Sequence, residues 1–510
     1  MKNLKNILHR DLQRQFYSFK FVVVVVFALL ISIVCVYINI LDFNDRQQNY
    51  QAEVIKSREQ MKSFRAYGDF KVPILVPPNP LAIFAKGVED EAGNKVVIEP
   101  MELPLPEKTS EASNPFLAIF SYMDLTGIVT LIFSLLVLLI TADAVSGDRE
   151  SHVLKVIFAN SVSRAEYLIS KYIGALLIAC IPLILIFLIT ALMCVLFLSA
   201  RLDLAFWWGV ISIFGVCLLF LSVFVMLGLM VSVRSASGAS SAMNGLFLWC
   251  ILIIMYPAVV NYVIASYTPK PSKIKLEEDI ANIDNEFFKR HMEYYVKNHH
   301  MKPTHIIIGD GFVKSHQILF NKFTGLTQKY EFERMANNIR DMLPEYFSSR
   351  AQVLSLHDQF REQTMKPQRI SKYFLWFLPN ELLQQSNTQI ARTDREFRDI
   401  RFSDAVRNYK QTVMSYLTSK DAFGMKFVTL LSVEEMRDDF SEYPDELKQR
   451  YMDALKGQYN QEFPLLVLND IPEFRYPEPK GFPVEMMILA LANILLFSLL
   501  YRMFMFADLT

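Results

Sequence analysis

Six long apolar stretches constrain the fold of this chain more than any other feature of its sequence. Each holds about twenty residues or more with almost no charge, the length that a helix needs to cross a bilayer core of roughly 30 Å. The polar residues are concentrated between these stretches. We therefore predict a mainly α-helical, polytopic membrane protein with six transmembrane helices. The predicted spans are 21–41, 123–145, 172–199, 206–232, 242–266 and 484–505.

The segment 1–20, which precedes the first span, is basic. The apolar run after it is too long for the hydrophobic region of a signal peptide, and no small-residue cleavage site follows. We expect it to remain as a membrane anchor. Apolar residues at helical spacing predict an amphipathic helix at the membrane surface, with a disordered basic tail as the alternative. These residues are Leu4, Ile7, Leu8, Leu12 and Phe16.

The positions of Lys and Arg predict the orientation of the chain. With six alternating spans, the N-terminal segment, the loop 146–171, the short loop at Arg234 and the C-terminal end at Arg502 share one side. All four are basic, and basic short loops face the cytoplasm. We expect both termini in the cytoplasm, with the segments 42–122 and 267–483 on the other side.

The two predicted extracytoplasmic segments differ in size. The shorter, 42–122, begins as a polar helix at about 46–65 and continues through the proline-rich stretch 72–81. It then reaches Ala92-Gly93-Asn94, a sequence typical of the tip of a small β-hairpin. The longer, 267–483, is large enough to form a mostly helical domain. Its predicted helices are 274–298, 328–342, 345–362, 402–419, 433–439 and 444–458.

One run in the longer segment, 373–383, is densely apolar and aromatic. It predicts either part of the domain core or an interfacial helix that faces lipid or substrate. Small residues are also concentrated at 235–245, before and within the fifth span. Their four-residue spacing favours close helix packing, within the chain or between two copies.

The sequence lacks the motifs with which a chain binds nucleotides or catalyses hydrolysis. It contains no Gly-x-x-x-x-Gly-Lys-[Ser/Thr] P-loop, no Gly-x-Ser-x-Gly elbow and no His-Glu-x-x-His zinc motif. Its formal net charge of zero argues against nucleic acid as a partner. All five cysteines fall in predicted spans, which excludes a disulfide framework outside them. We predict that the chain is not an enzyme by itself and binds no cofactor.

A few polar residues within the predicted spans are candidates for a translocation path or for contacts inside the membrane, because unpaired polar groups are costly in lipid. Asp124 and Glu485 lie near the outer ends, where water satisfies them in the simpler interpretation. Asn493 lies mid-span and is placed to form an interhelical hydrogen bond. The four candidates are Asp124, Asn244, Glu485 and Asn493.

Three histidines, His299, His300 and His305, cluster in the longer segment. Imidazole suits zinc or copper, so the cluster is a weak candidate for a metal site. Its spacing matches no established ligand pattern, and exposed polar histidines are the simpler interpretation. We therefore predict no metal in this chain.

The loop 146–171 is charged, basic and helical in its periodicity, and it separates two spans. Its apolar residues need a surface to cover them, while Arg149, Glu150 and Lys155 are placed to set the register of a partner. The pattern predicts a docking element that takes force from another chain. The alternative is a loop helix packed against the protein's own spans.

This order of elements resembles the permease subunits of ABC-2 type transporters, and the resemblance covers nearly the whole chain. In that family the loop resembles Glu-(Lys/Arg)-Glu-x-Gly-Thr-Leu, then an apolar helix, then Pro-Val-Ser-Arg and a Gly-Lys pair. The residues that match are Asp148, Arg149, Glu150, Leu154, Val162, Ser163, Arg164 and Lys171. The residues that depart are His152 and Val153 in place of Gly-Thr, Ser161 in place of proline and Ser170 in place of glycine.

The outer segments resemble one branch of that family, whose permeases carry a large extracytoplasmic insert before the last span. The first matching features are Pro77-Pro78-Asn79-Pro80-Leu81 and Gly87-Val88. The others are Leu378-Pro379 and Arg392-Thr393-Asp394.

The resemblance implies that 148–164 contains a coupling helix, at 150–160, which docks on a separate ABC ATP-binding subunit holding ATP and Mg. It also implies a second permease, as a homodimer or heterodimer, and a bacterial plasma (inner) membrane. The implied docking residues are Asp148, Arg149, Glu150, Val153, Leu154, Lys155, Ile157, Phe158 and Arg164.

The predicted spans contain no charge-lined path, which favours a hydrophobic or amphipathic substrate over an ion. One alternative is ATP-driven mechanotransmission to an extracytoplasmic partner, for which the large insert argues. A second alternative is a membrane-anchored scaffold or receptor with no part in transport, which predicts no ATPase partner.

Overall fold

The computed structural model describes the chain in a series of ranges. The described ranges are 2–17, 19–62, 71–89, 94–99, 103–104, 106–107, 123–160, 162–299, 329–419, 437, 439–449, 473–477, 481 and 483–507. The predicted helix 433–439 falls largely outside them. Of the predicted helix 444–458, residues 445–449 are described and are helical.

Among the described residues, six helical segments are long and apolar enough to cross a membrane, which confirms the predicted architecture. The second and fourth are the most enclosed, with 61% of their most apolar windows buried, whereas the fifth and sixth bury 17%. The fifth and sixth therefore leave most of their apolar surface for lipid or another chain. The first to sixth spans are Phe21–Glu59, Leu125–Glu150, Arg164–Phe197, Leu204–Arg234, Gly238–Tyr267 and Val484–Phe506.

The bundle has two ends, a loop end and an insert end. The loop end carries the segment 146–163 and the N-terminal helix Lys2–Phe16, which lies against the third span. The insert end carries the described residues of the segments 71–107 and 273–477. The predicted amphipathic helix is thus present, and Leu8 on it reaches Gly174 of the third span.

The helix of the first span runs without a break from Phe19 to Lys62, so the predicted polar helix at 46–65 is its continuation. Asn44 on this helix donates to the carbonyl of Phe197 at 2.8 Å and accepts from the Ser199 amide at 2.9 Å. It thereby satisfies backbone groups that the end of the third span leaves unpaired.

The second and fifth spans each contain a widened π-helical turn. The second consists of Leu125–Ile128, the π turn Val129–Phe133, Ser134–Ala142 and the short helix Ser146–Glu150. The fifth consists of Gly238–Trp249, the π turn Cys250–Met255 and Tyr256–Tyr267. Pro257 follows the π turn of the fifth span and has no amide proton to donate. Its missing backbone hydrogen bond favours a local departure from the α-helical hydrogen-bond pattern.

The fourth span forms the centre of the bundle and packs against the second, third, fifth and sixth spans. Mid-span, Asn493 on the sixth donates to the Leu219 carbonyl at 3.1 Å and to its own Leu489 carbonyl at 2.8 Å. The first of these is the interhelical hydrogen bond that the sequence predicts.

The described part of the insert is mainly helical, and two of the predicted helices form one. The described residues of the ranges 328–342 and 345–362 belong to a single 47-residue helix, Lys329–Leu375, that passes through Pro344 and Pro367. Packing overrides the local cost of proline here, because Tyr346 of this helix is buried against Phe287. The described insert helices are Lys273–His299, Lys329–Leu375, Pro379–Ala391, Glu396–Arg401 (π), Phe402–Ser419 and Phe440–Glu442 (3₁₀).

A small antiparallel sheet is present, but its strand pairing differs from the predicted hairpin. Strand β2 (Lys95–Ile98) pairs with β1 (Val72–Leu75) on one side and β3 (Pro106–Glu107) on the other. Residues 87–89 form a turn and residues 85–86 are irregular, so this segment is not the partner of β2. The buried faces of β1 and β2 pack against the helix Phe402–Ser419, a long-range contact that local turn propensity does not contain.

The run 373–383 fits the domain-core interpretation at its leucines and the interfacial interpretation at its aromatic residues. Leu375, Leu378 and Leu383 are buried, as in a core. The aromatic side chains face outward, so the core interpretation is wrong for them. Their exposed fractions are 82% for Tyr373, 55% for Phe374, 49% for Trp376 and 62% for Phe377.

Candidate functional site

The segment 146–159, which comprises the last helix of the second span and the loop after it, folds as two short helices joined by a left-handed residue. The helix Ser146–Glu150 ends at Ser151, His152 has φ 57°, and the helix Val153–Ala159 (the loop helix) follows. The predicted continuous helix 150–160 is therefore broken at its start. The third span then begins with a reciprocal capping box between Ser163 and Glu166.

A glycine substitution at His152 is expected to stabilise the loop. A left-handed backbone costs a side-chain-bearing residue about 1–2 kcal/mol, and glycine avoids most of it. We expect His152→Gly to raise the free energy of unfolding by about 1 kcal/mol in a denaturant titration of the purified chain. Ser151→Gly is the matched control, because Ser151 has φ −82°. A His152→Gly chain no more stable than Ser151→Gly would contradict the strain argument.

Asp148 is the centre of a buried charge cluster, called here the Asp148 cluster. Its carboxylate is 1% exposed and lies 2.7 Å from Lys171 Nζ, and it accepts from Tyr167 at 3.0 Å. Arg10 and Arg14 of the N-terminal helix reach it at 3.3 and 3.4 Å. The cluster thus ties the loop to the N-terminal helix and to the third span.

Lys171 is the bridge within the Asp148 cluster. Its side chain is 5% exposed and also contacts Asp11 of the N-terminal helix at 2.9 Å. Two carboxylates, Asp11 and Asp148, thus share this buried cation with the two arginines, and removing either carboxylate leaves positive charge in the cluster less well compensated. The lysine that the resemblance matches is therefore part of the packing that positions the loop.

Arg149 and Glu150 bind the ends of two other spans. Arg149 donates to the carbonyls of Val233 and Ser235, both at 3.1 Å, and so caps the end of the fourth span. Glu150 accepts from the amide of Gly238 at 2.9 Å, where the fifth span begins. A cation at a helix C-terminus and a carboxylate at an N-terminus are both favourable.

Arg164 performs the same task for the sixth span. Its guanidinium donates to the carbonyls of Met505 at 2.8 Å and Ala507 at 3.1 Å. Four charged side chains of the loop region therefore contact four spans: Asp148 the third, Arg149 the fourth, Glu150 the fifth and Arg164 the sixth.

The loop helix has one buried face and one exposed face. Leu154 and Ile157 are 1% and 8% exposed. Phe158, partly buried like Val153, packs edge-on against Tyr167. The inner face is thus covered by the protein's own spans, as the alternative interpretation holds.

The outer face of the loop helix, by contrast, is open. Lys155 is exposed and Val156 is 61% exposed. Of the nine residues that the resemblance implies for docking, most lie inward or bind other spans. Val156 is not among those nine, and only the helical phase of the folded loop shows that it points outward.

The polar candidates within the spans are each accounted for by a described contact. Asp124 caps the second span, accepting from the amides of Gly127 at 2.7 Å and Lys86 at 2.8 Å. Glu485 lies 3.4 Å from Lys372 of the insert. The side-chain amide of Asn244 is 3.5 Å from the Ser235 hydroxyl. Asn244 also lines a cleft between the fourth, fifth and sixth spans. Their part in translocation stays a prediction.

The side chains of the candidate metal cluster lie outside the described part of the chain. His300 and His305 lie outside the described residues, and the side chain of His299 is not described either. Another insert histidine, His291, is buried and stacks on Phe287 at 5.8 Å. Burial lowers its pKa to about 4, so it is neutral at physiological pH.

At the insert end, two distant sequence features meet in one joint. Asn79 donates to the Ala391 carbonyl at 2.7 Å, and Thr393 donates to the Ala85 carbonyl at 2.7 Å. Gly87, with φ 56°, lies directly against the Thr393 backbone, where a Cβ would clash. The proline-rich stretch and the segment after Pro379–Ala391 are thus a single unit.

This joint is anchored on the spans. The helix Pro379–Ala391 packs against the fourth and sixth spans, and its buried Asn387 donates to Thr126 of the second at 3.0 Å. Both sequence features were recognisable, but nothing in the sequence alone indicates that they contact each other.

The fold and the site define a polytopic helical membrane protein whose loop end carries a small, partly exposed helix braced on several spans. A family model described as ABC-2 family transporter protein matches residues 5–355, more than half of the 510-residue chain. The chain therefore belongs to the ABC-2 transporter family, as a membrane permease. Permeases of this family are normally not catalytic by themselves, and their ATPase lies in a partner subunit. No curated protein matches the sequence.

Proposed function

We propose that the loop helix Val153–Ala159 is the coupling helix of this permease, and that an ABC ATP-binding subunit holding ATP and Mg docks on its outer face. The observation that carries the proposal is the 61% exposure of Val156 beside exposed Lys155, on a helix whose other face is buried. An apolar side chain exposed next to a cation on a short, braced helix suits a partner with an apolar pocket and an acidic rim.

The proposed orientation puts this helix on the cytoplasmic side of a bacterial plasma membrane. Since Asp148, Arg149, Glu150 and Arg164 contact the third to sixth spans, a displacement of the loop by the ATPase is passed to all four. Such a short, charge-assisted linkage favours transmission of force over independent motion of the loop.

The proposal is tested by Val156→Asp in a chain co-expressed with an ABC ATP-binding subunit, for which the genes adjacent to this one are the first candidates. Val156→Asp puts a carboxylate at the proposed contact, and loss of a central contact costs about 2 kcal/mol or more. We expect the amount of ATPase that co-purifies to fall by about tenfold or more. Ile55→Asp is the matched control, because Ile55 is 59% exposed at the insert end.

Equal recovery of the ATPase with Val156→Asp and Ile55→Asp would contradict the docking face. Arg149→Ala and Glu150→Ala are poor probes of docking, since both residues bind other spans. Recovery of no ATPase by the unmodified chain would favour the scaffold or receptor alternative.

We further propose that the cargo is hydrophobic or amphipathic, and that the chain belongs to the branch with a large extracytoplasmic insert and works with a second permease. The weakly buried fifth and sixth spans support contact with lipid or a second copy. The joint between Asn79, Gly87 and Thr393 supports the branch.

Mechanotransmission to an extracytoplasmic partner is a second candidate function. It is favoured by the 47-residue helix Lys329–Leu375, which leads through the helix Pro379–Ala391 directly onto the fourth and sixth spans. A helix braced in this way moves with the spans rather than independently of them.

A further inference from the structure

A cleft of about 640 Å³ opens between the fourth, fifth and sixth spans at the loop end. Its walls are apolar and include Met230, Phe247, Leu248, Ile251 and Met503. Phe247 is 65% exposed, so the cleft is open towards the lipid side of the bundle. The volume lies within the range of small-molecule sites.

Two arginines, Arg234 and Arg502, lie at the mouth of this cleft, near the ends of the fourth and sixth spans. Both are exposed. Within the described part of the chain, neither has a hydrogen bond or an ion pair, and the described lining of the cleft contains no carboxylate. Asn244 is the remaining polar residue of the lining.

An arginine at the end of a helix often serves to cap it, but here that task is already performed by others. Arg149 binds the last carbonyls of the fourth span, and Arg164 binds those of the sixth. Arg234 and Arg502 are therefore not needed to cap the helices on which they lie. Their guanidinium groups remain available to a ligand at the mouth of the cleft.

We propose that this cleft binds an anionic phospholipid from the leaflet at the loop end, which is the cytoplasmic leaflet in the proposed orientation. The phosphate lies between Arg234 and Arg502, where guanidinium groups form charge-assisted hydrogen bonds with its oxygens. An acyl chain lies along Phe247, Leu248 and Met503. Basic pockets between spans on the cytoplasmic side suit anionic headgroups in this way.

The site requires neither an ATPase nor transport, so it goes beyond the proposed coupling function. It is tested on the purified full chain by native mass spectrometry, titrating dioleoyl phosphatidylglycerol against dioleoyl phosphatidylcholine. We expect the unmodified chain to prefer the anionic lipid. Arg502→Gln should weaken its binding about fivefold, and Arg234→Gln with Arg502→Gln about thirtyfold, from the usual contribution of a basic residue near lipid.

Two further variants separate the cleft from simple surface attraction. Leu248→Trp fills the cleft but keeps both arginines, and it should weaken binding about as much as Arg502→Gln. Arg58→Gln removes a charge at the insert end and should change nothing. If the double variant does not fold, the single variants Arg502→Gln and Leu248→Trp decide the question.

Equal binding of both lipids by the unmodified chain would overturn the proposal. So would unchanged binding by Arg502→Gln or by Leu248→Trp, as expected if a second copy of the chain covers the cleft or the lipid stays on the surface. Because no ATPase is present, failure here leaves the docking face at Val156 intact, and the Val156→Asp test leaves this site intact.

Discussion

Replacing Asp148 by alanine is expected to destabilise the protein by about 3–5 kcal/mol, the usual cost of removing one partner of a buried ion pair. The carboxylate is 1% exposed and lies 2.7 Å from a lysine that is itself 5% exposed. Without it, Lys171 keeps only Asp11, and Arg10 and Arg14 lose the acidic group that holds the N-terminal helix at the loop. The measurement is the free energy of unfolding of the purified chain, with limited proteolysis of the N-terminal helix as a second readout.

Glu150→Gln is the matched control for Asp148→Ala. Its carboxylate accepts one backbone hydrogen bond at the start of the fifth span, and an amide oxygen replaces that contact. We expect a loss of no more than about 1 kcal/mol, the value of a charge at a helix terminus. If Asp148→Ala and Glu150→Gln lose the same stability, the Asp148 cluster is not the main attachment of the loop.

The second large effect is expected at Gly228, where the second and fourth spans cross. A methyl group there would overlap the hydroxyl of Thr141 and would lie 2.9 Å from its Cβ. Thr141 is fully buried and donates back to the Val137 carbonyl at 2.8 Å, so it has no room to turn away. We expect Gly228→Ala to cost about 2–3 kcal/mol, since overpacking forces the two helices apart. The apparent melting temperature in detergent measures it.

Gly215, on the same helix, provides the matched control. A Cβ there has no neighbour within 4 Å among the described residues. Gly215→Ala is therefore expected to be neutral, or to stabilise the helix by up to about 1 kcal/mol through its higher helix propensity. Thr141→Ala in the Gly228→Ala chain should recover part of the loss. A Gly228→Ala chain as stable as Gly215→Ala would mean that the spans do not cross at this point.

The two predictions concern different parts of one linkage. The Asp148 cluster attaches the loop to the N-terminal helix and the third span, and the close contact at Gly228 holds the second span, which leads into the loop, against the central fourth. If the loop helix is the coupling helix, both are needed for its displacement to reach the insert end. A variant at either place would weaken transport even with the ATPase still bound.

Much of the architecture follows from local patterns in the sequence. The apolar stretches indicate spanning helices, because a bilayer admits only helices and closed barrels, and about twenty continuous apolar residues is the length that a helix needs. The amphipathic N-terminal helix and the helix Phe402–Ser419 likewise follow from periodicity. The membership of the family rests on sequence as well, since the match covers residues 5–355.

Where local patterns fail, a long-range contact is the reason. The proline-rich stretch contributes strand β1 because its apolar face packs on a helix more than 300 residues later in the chain. Pro344 does not end its helix because packing of the neighbouring Tyr346 against Phe287 of Lys273–His299 compensates for the lost backbone hydrogen bond. Propensity is a weak guide where burial of this kind is available.

The candidate site divides in the same way. The sequence by itself determined that a charged helical loop follows the second span, because charge and period are local properties. Only the tertiary structure decided which side of that loop faces outward. The left-handed turn at His152 sets the phase of the loop helix, and Asp148, Arg149 and Glu150 are engaged by other spans. This leaves Lys155 and Val156 exposed, since a side chain that caps a neighbouring helix is no longer available to a partner.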